Sequence, residues 1–250
     1  MKIKKLLVLI VSIALMLSLL ASCGALTAAQ AISKADAALL ENPYKLDMEM
    51  KMSCDDTKYK KYFTNFNIES ETYVDGQNCQ MVLDFGLMNM DITCVDNEVY
   101  CILSLFGMTS NKMKAELGED DFDELMGMTG GSTVSAVDFE SMSMVKDENG
   151  NYVITCTNLN ATVLNEYVKE FEIDGASVSL SDITLEAVIS EDKYSKITVS
   201  ADCAYTIGSE KVVCEMTTCM SFDYEAGKTI IAPTDANTYT VVTDFSKLFD

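Results

Sequence analysis

The stretch MNMDITCVDNEVYCILSL, residues 88–105, decides how this chain is read. Apolar residues alternate on either side of Asp96-Asn97, and two turn-forming residues between alternating runs are the signature of a tight β-hairpin. Reversal at Asp96-Asn97 sets Cys94 opposite Val99, Ile92 opposite Cys101, Met90 opposite Leu103 and Met88 opposite Leu105. A one-residue slip would set apolar against polar, so burial fixes the register. The prediction is an antiparallel sheet with one apolar face.

The same test extends in both directions. Leu46, Met48, Met50 and Met52 alternate with Asp47, Glu49 and Lys51, the pattern of a half-buried strand. A loop at Asp75-Gly76 pairs Ile68 with Leu83 and Phe66 with Phe85, with Met81 on the same face. Apolar parity changes from odd at Phe85 to even at Met88, which marks Gly86 as a bulge or bend. Glu148-Asn149-Gly150 reads as a loop that pairs Met144 with Ile154 and Met142 with Cys156. Nearer the C-terminus, a turn around Lys193 pairs Ile189 with Ile197, Ala187 with Val199 and Leu185 with Ala201. Gly208-Ser209 then sets Tyr205 opposite Val212, Cys203 opposite Cys214 and Ala201 opposite Met216.

Helical signals frame these strands. Thr27-x-x-Gln30 is a capping box ahead of Ala28, Ile32, Ala35 and Leu39 at helical spacing, and Asn42-Pro43 ends that helix. Met113, Leu117, Phe122 and Leu125 suggest a second helix within 111–128, and Leu164, Val168 and Phe171 a third. The fold class expected is α+β: a curved antiparallel sheet with an N-terminal helix and two inserted helices packed on one side.

Residues 1–22 carry Lys2, Lys4 and Lys5, then the unbroken apolar stretch Leu6 to Ile10 that runs on to Ala21, and no acidic residue, as a secretory signal does. Leu20-Ala21-Ser22 before Cys23 matches the bacterial lipobox, in which cleavage precedes a Cys that receives palmitate-type acyl chains. Two chains on Cys23 would hold the protein stably on a bilayer. The domains expected are the signal at 1–22, a lipidated tether at 23–26 and one domain over 27–250. Cleavage takes the net charge from −21 to −24, because three Lys and no acid are removed.

Composition excludes several chemistries. The chain has no His and no Trp, and its 18 basic residues are all Lys. Imidazole relays, imidazole metal ligands and arginine clamps are thereby ruled out. The acidic charge argues against nucleic acid, whose binding is driven by cationic side chains. The run Glu119 to Glu124 lacks the ligand pattern of a calcium loop and suits the first turn of a helix, and no G-x-S-x-G elbow supplies a nucleophile. No enzyme, cofactor or resident metal is expected.

Of nine cysteines, Cys203 and Cys214 are the pair that register brings together, either as a disulfide or as reduced core thiols. Methionine is abundant, at 16 residues, and thioether with thiolate ligands would suit Cu(I), although spacing of two on a strand is what any core-facing residue shows. A methionine-lined apolar face also adapts to ligands of variable shape. The candidates are Met48, Met50, Met52, Met81, Leu83, Phe85, Met88, Met90, Met142 and Met144.

The leading segment Ala29 to Leu39 followed by Pro43-Tyr44-Lys45-Leu46-Asp47, and the closing Ser221-Phe222-Asp223-Tyr224-Glu225 with Ile230-Ile231-Ala232-Pro233, resemble a family of lipoproteins. It is that of the lipoprotein carrier LolA and the mycobacterial LppX, with Gram-positive relatives. The resemblance implies a half-open β-barrel closed by helices, whose concave face receives a lipid or another hydrophobic ligand. The carrier's cavity arginine has no counterpart here, so the resemblance supports holding a ligand more than shuttling it. The expected location is the extracytoplasmic face of the membrane of a Gram-positive cell, with the bilayer as partner through Cys23. The alternatives are a non-catalytic interaction, sensor or regulatory lipoprotein without ligand, and Cu(I) handling.

Overall fold

The computed structural model describes residues 26–60, 67–117, 139–159, 176–207 and 210–242. The signal segment, Leu20 to Cys23, Phe66, the acidic run from Glu119 and the third expected helix lie outside these residues.

The helix α1 (Ala28–Glu41) begins as its capping box dictates. Thr27 Oγ1 accepts from Gln30 N–H at 3.2 Å and Gln30 Oε1 accepts from Thr27 N–H at 3.0 Å, so two donors at the helix start are satisfied reciprocally. Asn42 closes the helix, and its side chain donates to the Ala38 carbonyl at 2.8 Å. Ala31, Ile32, Ala35 and Ala38 form the buried stripe.

The strands are β1 (Tyr44–Ser53), β2 (Asn67–Asp75), β3 (Asn78–Asp84), β4 (Met88–Val95), β5 (Glu98–Leu105) and β6 (Met108–Glu116), then β7 (Phe139–Lys146), β8 (Tyr152–Leu159), β9 (Ala176–Ser190), β10 (Lys193–Ile207), β11 (Glu210–Asp223) and β12 (Thr240–Val241). They form one curved, unclosed sheet in the order β12-β6-β5-β4-β3-β2-β1-β11-β10-β9-β8-β7, antiparallel throughout except that β12 runs parallel to β6. Two meanders, β1–β6 and β7–β11, meet at the β1–β11 seam, where Leu46 faces Phe222, Met48 faces Met220 and Met52 faces Met216. The helix α1 packs on β10, β9 and β7, over the second meander.

The ladders that flank Asp96-Asn97, Glu148-Asn149-Gly150 and residues 208–209 carry the expected pairs. Elsewhere the structure departs from the sequence reading. The β2–β3 hairpin turns at Gly76-Gln77, so Leu83 faces Ser70 rather than Ile68. Gly76 takes its positive φ of 63° at the first turn position, leaving Asp75 to pair with Asn78. The β9–β10 hairpin turns at Glu191-Asp192, both at positive φ, so Ile197 faces Ala187 and Val199 faces Leu185. For these pairs both shifts are by two positions, which preserves their faces, whereas beyond the irregularities at Tyr194/Lys196 and Ser200/Asp202 the β9–β10 register is shifted by one more residue, so that Cys203 faces Leu180. Of the two alternatives for Gly86, the structure shows the bend, part of a chain reversal between β3 and β4. The helix expected from Asn111 is instead strand β6 up to Glu116, with Met113 facing Cys101 and Ala115 facing Val99.

Candidate functional site

Reading the registers across the sheet places one residue set on a single continuous face. On the first meander it comprises Tyr44, Leu46, Met48, Met50 and Met52 of β1, Ser70, Thr72 and Val74 of β2, Cys79, Met81 and Leu83 of β3, and Met88, Met90, Ile92 and Cys94 of β4. Val99, Cys101, Leu103 and Leu105 of β5 continue it. Across the seam it runs through Met220, Ile197, Ala187 and Ile154 to Met144, and through Leu185 and Cys156 to Met142. Strands that read as separate in the sequence thus share one surface.

Burial on this face is graded along the strands of the first meander. Nearest the turns at Gly76 and Asp96, Cys79, Met81, Ile92, Cys94 and Val99 are wholly inaccessible. Midway, Leu83 is buried while Met90 and Leu103 are half-buried. At the far rim Met88 is half-buried and Leu105 is 40% exposed. Of the remaining candidates, Met48 and Met52 are buried, Met50 and Met144 are half-buried, and Phe85 and Met142 are exposed. Met142 and Met144 stand on β7, at the edge of the second meander, away from the others.

Apolar patterning does not single out the hydroxyls on this face. Ser70 and Thr72 are buried beside Leu83 and Met81, and neither Ser70 Oγ nor Thr72 Oγ1 has a hydrogen-bond partner. A buried hydroxyl without a partner costs about 1–3 kcal/mol, so each is a point at which a bound polar group would be stabilising. The signal that reaches them is the period of two that runs back from Val74.

Cys94, Cys101 and Cys214 on this face are chemically quiet, whereas the hydrogen bond with Cys94 lowers the pKa of Cys79. Cys79 and Cys94 face each other across β3–β4 and share a side-chain hydrogen bond. That bond and burial push the Cys94 thiol well above its ordinary range. Burial raises Cys101 to about 11, and burial with a hydrogen bond to Cys54 raises Cys214 to about 12. Such thiols stay protonated and poorly nucleophilic near neutral pH. Cys203 lies opposite Cys214 as the register requires, and Cys219 stands on the other face of the sheet. Among the described residues no three Cys, Asp or Glu side chains converge to hold a metal ion.

The opposite face is acidic. Glu49 stands beside Glu69, Glu69 beside Asp84, and Asp47 beside Glu71, pairings that repel across a sheet. Lys45 relieves one of them by contacting Asp47 at 2.9 Å and Glu71 at 3.0 Å, which lowers the Glu71 pKa. A depression of about 420 Å³ lies over this acidic row, and another of about 340 Å³ lies between Thr157–Leu159 and Ser181–Thr184. Most of the residues that line them are acidic, amide or hydroxyl residues, unlike the mostly hydrophobic and aromatic side chains of pockets that take hydrophobic ligands.

The rim where the apolar face opens is built from two tight turns. Phe85-Gly86-Leu87 joins β3 to β4 and Phe106-Gly107 joins β5 to β6. Phe106 N–H donates to the Leu87 carbonyl at 2.9 Å and ties the turns together. Asp84 accepts from Gly86 N–H at 2.6 Å. Phe106 sits at φ +51°, a left-handed conformation that costs an L-residue roughly 1–2 kcal/mol, yet the residue is 72% exposed and gains little packing in return. Leu87 and Met108 beside it are 67% and 70% exposed.

No family model and no curated protein matches this chain. A crystal structure of the ywiB protein from Bacillus subtilis aligns over 75% of this chain and 93% of that one, at 12% identity and a TM-score of 0.18. A likeness that slight carries no argument about fold or function. Among the described residues no helix is long and apolar enough to cross a membrane.

Proposed function

We propose that this protein is an extracytoplasmic lipoprotein of the LolA/LppX-like kind, anchored through acylated Cys23, that holds a lipid or other hydrophobic ligand against the apolar face of its sheet. The observation that carries this reading is the graded opening of that face, from inaccessible Met81 and Ile92 to half-buried Met88 and exposed Leu105. Methionine suits the role because its unbranched thioether repacks around chains of different shape. The unpartnered hydroxyls of Ser70 and Thr72 give an amphiphile's polar group a place to bond within an apolar surface. With neither His nor Arg in the chain, binding is a better reading than turnover.

The solid burial of Met48, Met52 and Met81 favours a second reading, in which the face is ordinary core and the fold is a scaffold for envelope interactions. One experiment separates the two. Native mass spectrometry of the protein extracted in mild detergent from its own membrane is expected to show a lipid-sized adduct, diminished in the Ser70→Val/Thr72→Val variant. A single mass without adduct would overturn ligand binding and leave the scaffold. In the same preparation, incorporation of labelled palmitate that vanishes in Cys23→Ala checks the anchor.

A further inference from the structure

We propose that the linked β3–β4 and β5–β6 turns form a tip that inserts into the interfacial region of an electrically neutral lipid bilayer. Phe85, Leu87, Leu105, Phe106 and Met108 are exposed together at this one rim. From Phe85 to Met90 and from Leu103 to Asn111 the chain has no charged residue, although it carries 18 Lys and 39 Asp or Glu overall. The nearest carboxylate, Asp84, is engaged by Gly86 N–H within the turn.

This chemistry selects the occupant. A protein partner would be met by hydrogen bonds at about one per 100–200 Å² of interface, and the apices of these turns offer no polar side chain for that purpose. A second copy would need more than about 1,000 Å² of buried surface, beyond what a handful of turn side chains supplies. A bilayer interface asks only for exposed aromatic and aliphatic groups on a rigid support. The hydrogen bond from Phe106 to Leu87 makes the support rigid, and the left-handed Phe106 places an aromatic ring at the apex where Gly or Asn would be easier to accommodate. The protein's net charge of −21 restricts the surface to neutral lipid. Because the tip continues into Met88, Leu103 and Met90, insertion would also open the apolar face toward the lipid phase. That last step rests on the ligand-holding role proposed above, whereas insertion itself does not.

The chain has no Trp, so Phe106→Trp in the full-length protein creates a single indole emitter at the tip. The variant is reconstituted into phosphatidylcholine vesicles with and without dibrominated acyl chains, and flotation is measured on the same samples. A shallowly inserted indole is expected to lose about half its emission to the bromines. Val145→Trp, at an exposed position on edge strand β7, is expected to lose almost none. Adding Leu87→Glu to Phe106→Trp is expected to abolish the quenching while flotation and melting temperature are kept. Protein that floats with vesicles but shows no quenching of the tip indole would overturn the tip and leave the anchored lipoprotein standing. Equal quenching in the Phe106→Trp and Val145→Trp proteins would overturn the tip as well, as would concentration-dependent shielding of the tip indole without lipid. Absence of both flotation and quenching would overturn the tip and the anchor together.

Discussion

The two rims of the first meander are made by the same backbone device and have opposite surfaces. At one rim Asp96-Asn97 turns the chain with both residues at positive φ, and Asn78 Oδ1 accepts from Asp96 N–H. At the other, Phe106-Gly107 does the same with an exposed aromatic. The second meander makes turns of its own with Asp147, whose carboxylate takes hydrogen bonds from Asn149 and Asn151, and with Glu191-Asp192. Asn and Asp enter left-handed conformations readily and bond their own turn, so the polar rim is what turn chemistry alone would produce. The apolar rim departs from that rule without any gain in packing. Departures of this kind are where function is to be sought.

The two rims differ most in packing. Ile92→Ala, at an inaccessible site on the apolar face, is expected to lower stability by about 2–4 kcal/mol, whereas Leu87→Ala at the tip should change it by less than about 0.5 kcal/mol in chemical denaturation. A large loss at Leu87 would mean that the tip is core. A smaller effect is expected from the turns themselves. Asn97→Val, at φ +63°, should destabilise by about 1 kcal/mol, and Phe106→Asn should stabilise by a similar amount, both read from melting temperature. Failure of Phe106→Asn to stabilise would show that the ring is held by contacts after all.

The smallest effect distinguishes the rims by pH. Glu98, at the polar rim, is hydrogen-bonded by the Tyr100 hydroxyl and by Lys114 at 3.0 Å, and these partners hold its carboxyl below the usual glutamate value. A lowered folded-state pKa means that the contribution is present above the ordinary glutamate range and is lost as pH falls through the lowered value. Asp91 has the opposite sign: burial raises its pKa, so its contribution favours low pH and disappears as pH rises through the raised value. Melting curves across the acidic range should lose part of their low-pH decline in Glu98→Gln. They should lose part of their decline toward neutral pH in Asp91→Asn. Phe106→Asn should leave the shape of the profile unchanged.

Much of the sheet is legible in the sequence because apolar alternation is enforced wherever one face is buried. The pairs Cys94 with Val99, Met144 with Ile154 and Cys203 with Cys214 all follow from it. Parity, however, is blind to a shift of two. The Asp-Gly signature at Asp75-Gly76 and the plain turn Glu191-Asp192 therefore yield the right faces with the wrong partners. Met113 and Leu117 fit a helical spacing, but Lys112, Lys114 and Glu116 alternate around Met113 and Ala115, and that shorter period prevails once β5 offers a ladder. The ten apolar candidates are recognisable as one class of position, but their division between two meanders depends on the β1–β11 seam, which no local signal announces. Nor does local pattern show that the face opens toward one rim, since that follows from what covers it.

The β1–β11 seam governs how the protein folds. Strand β1 (Tyr44–Ser53) is paired on one side by β2, its neighbour in sequence, but its other edge is paired by the sequence-distant β11 (Glu210–Asp223). Until β11 is in place the folding polypeptide presents a methionine-rich strand with unsatisfied amides, a template for pairing with other chains. Joining the meanders closes a very long loop, which makes it a slow, late step of folding. Completion of the sheet thus waits for β11 to reach β1, and the interval before it is when aggregation competes most strongly with the native fold.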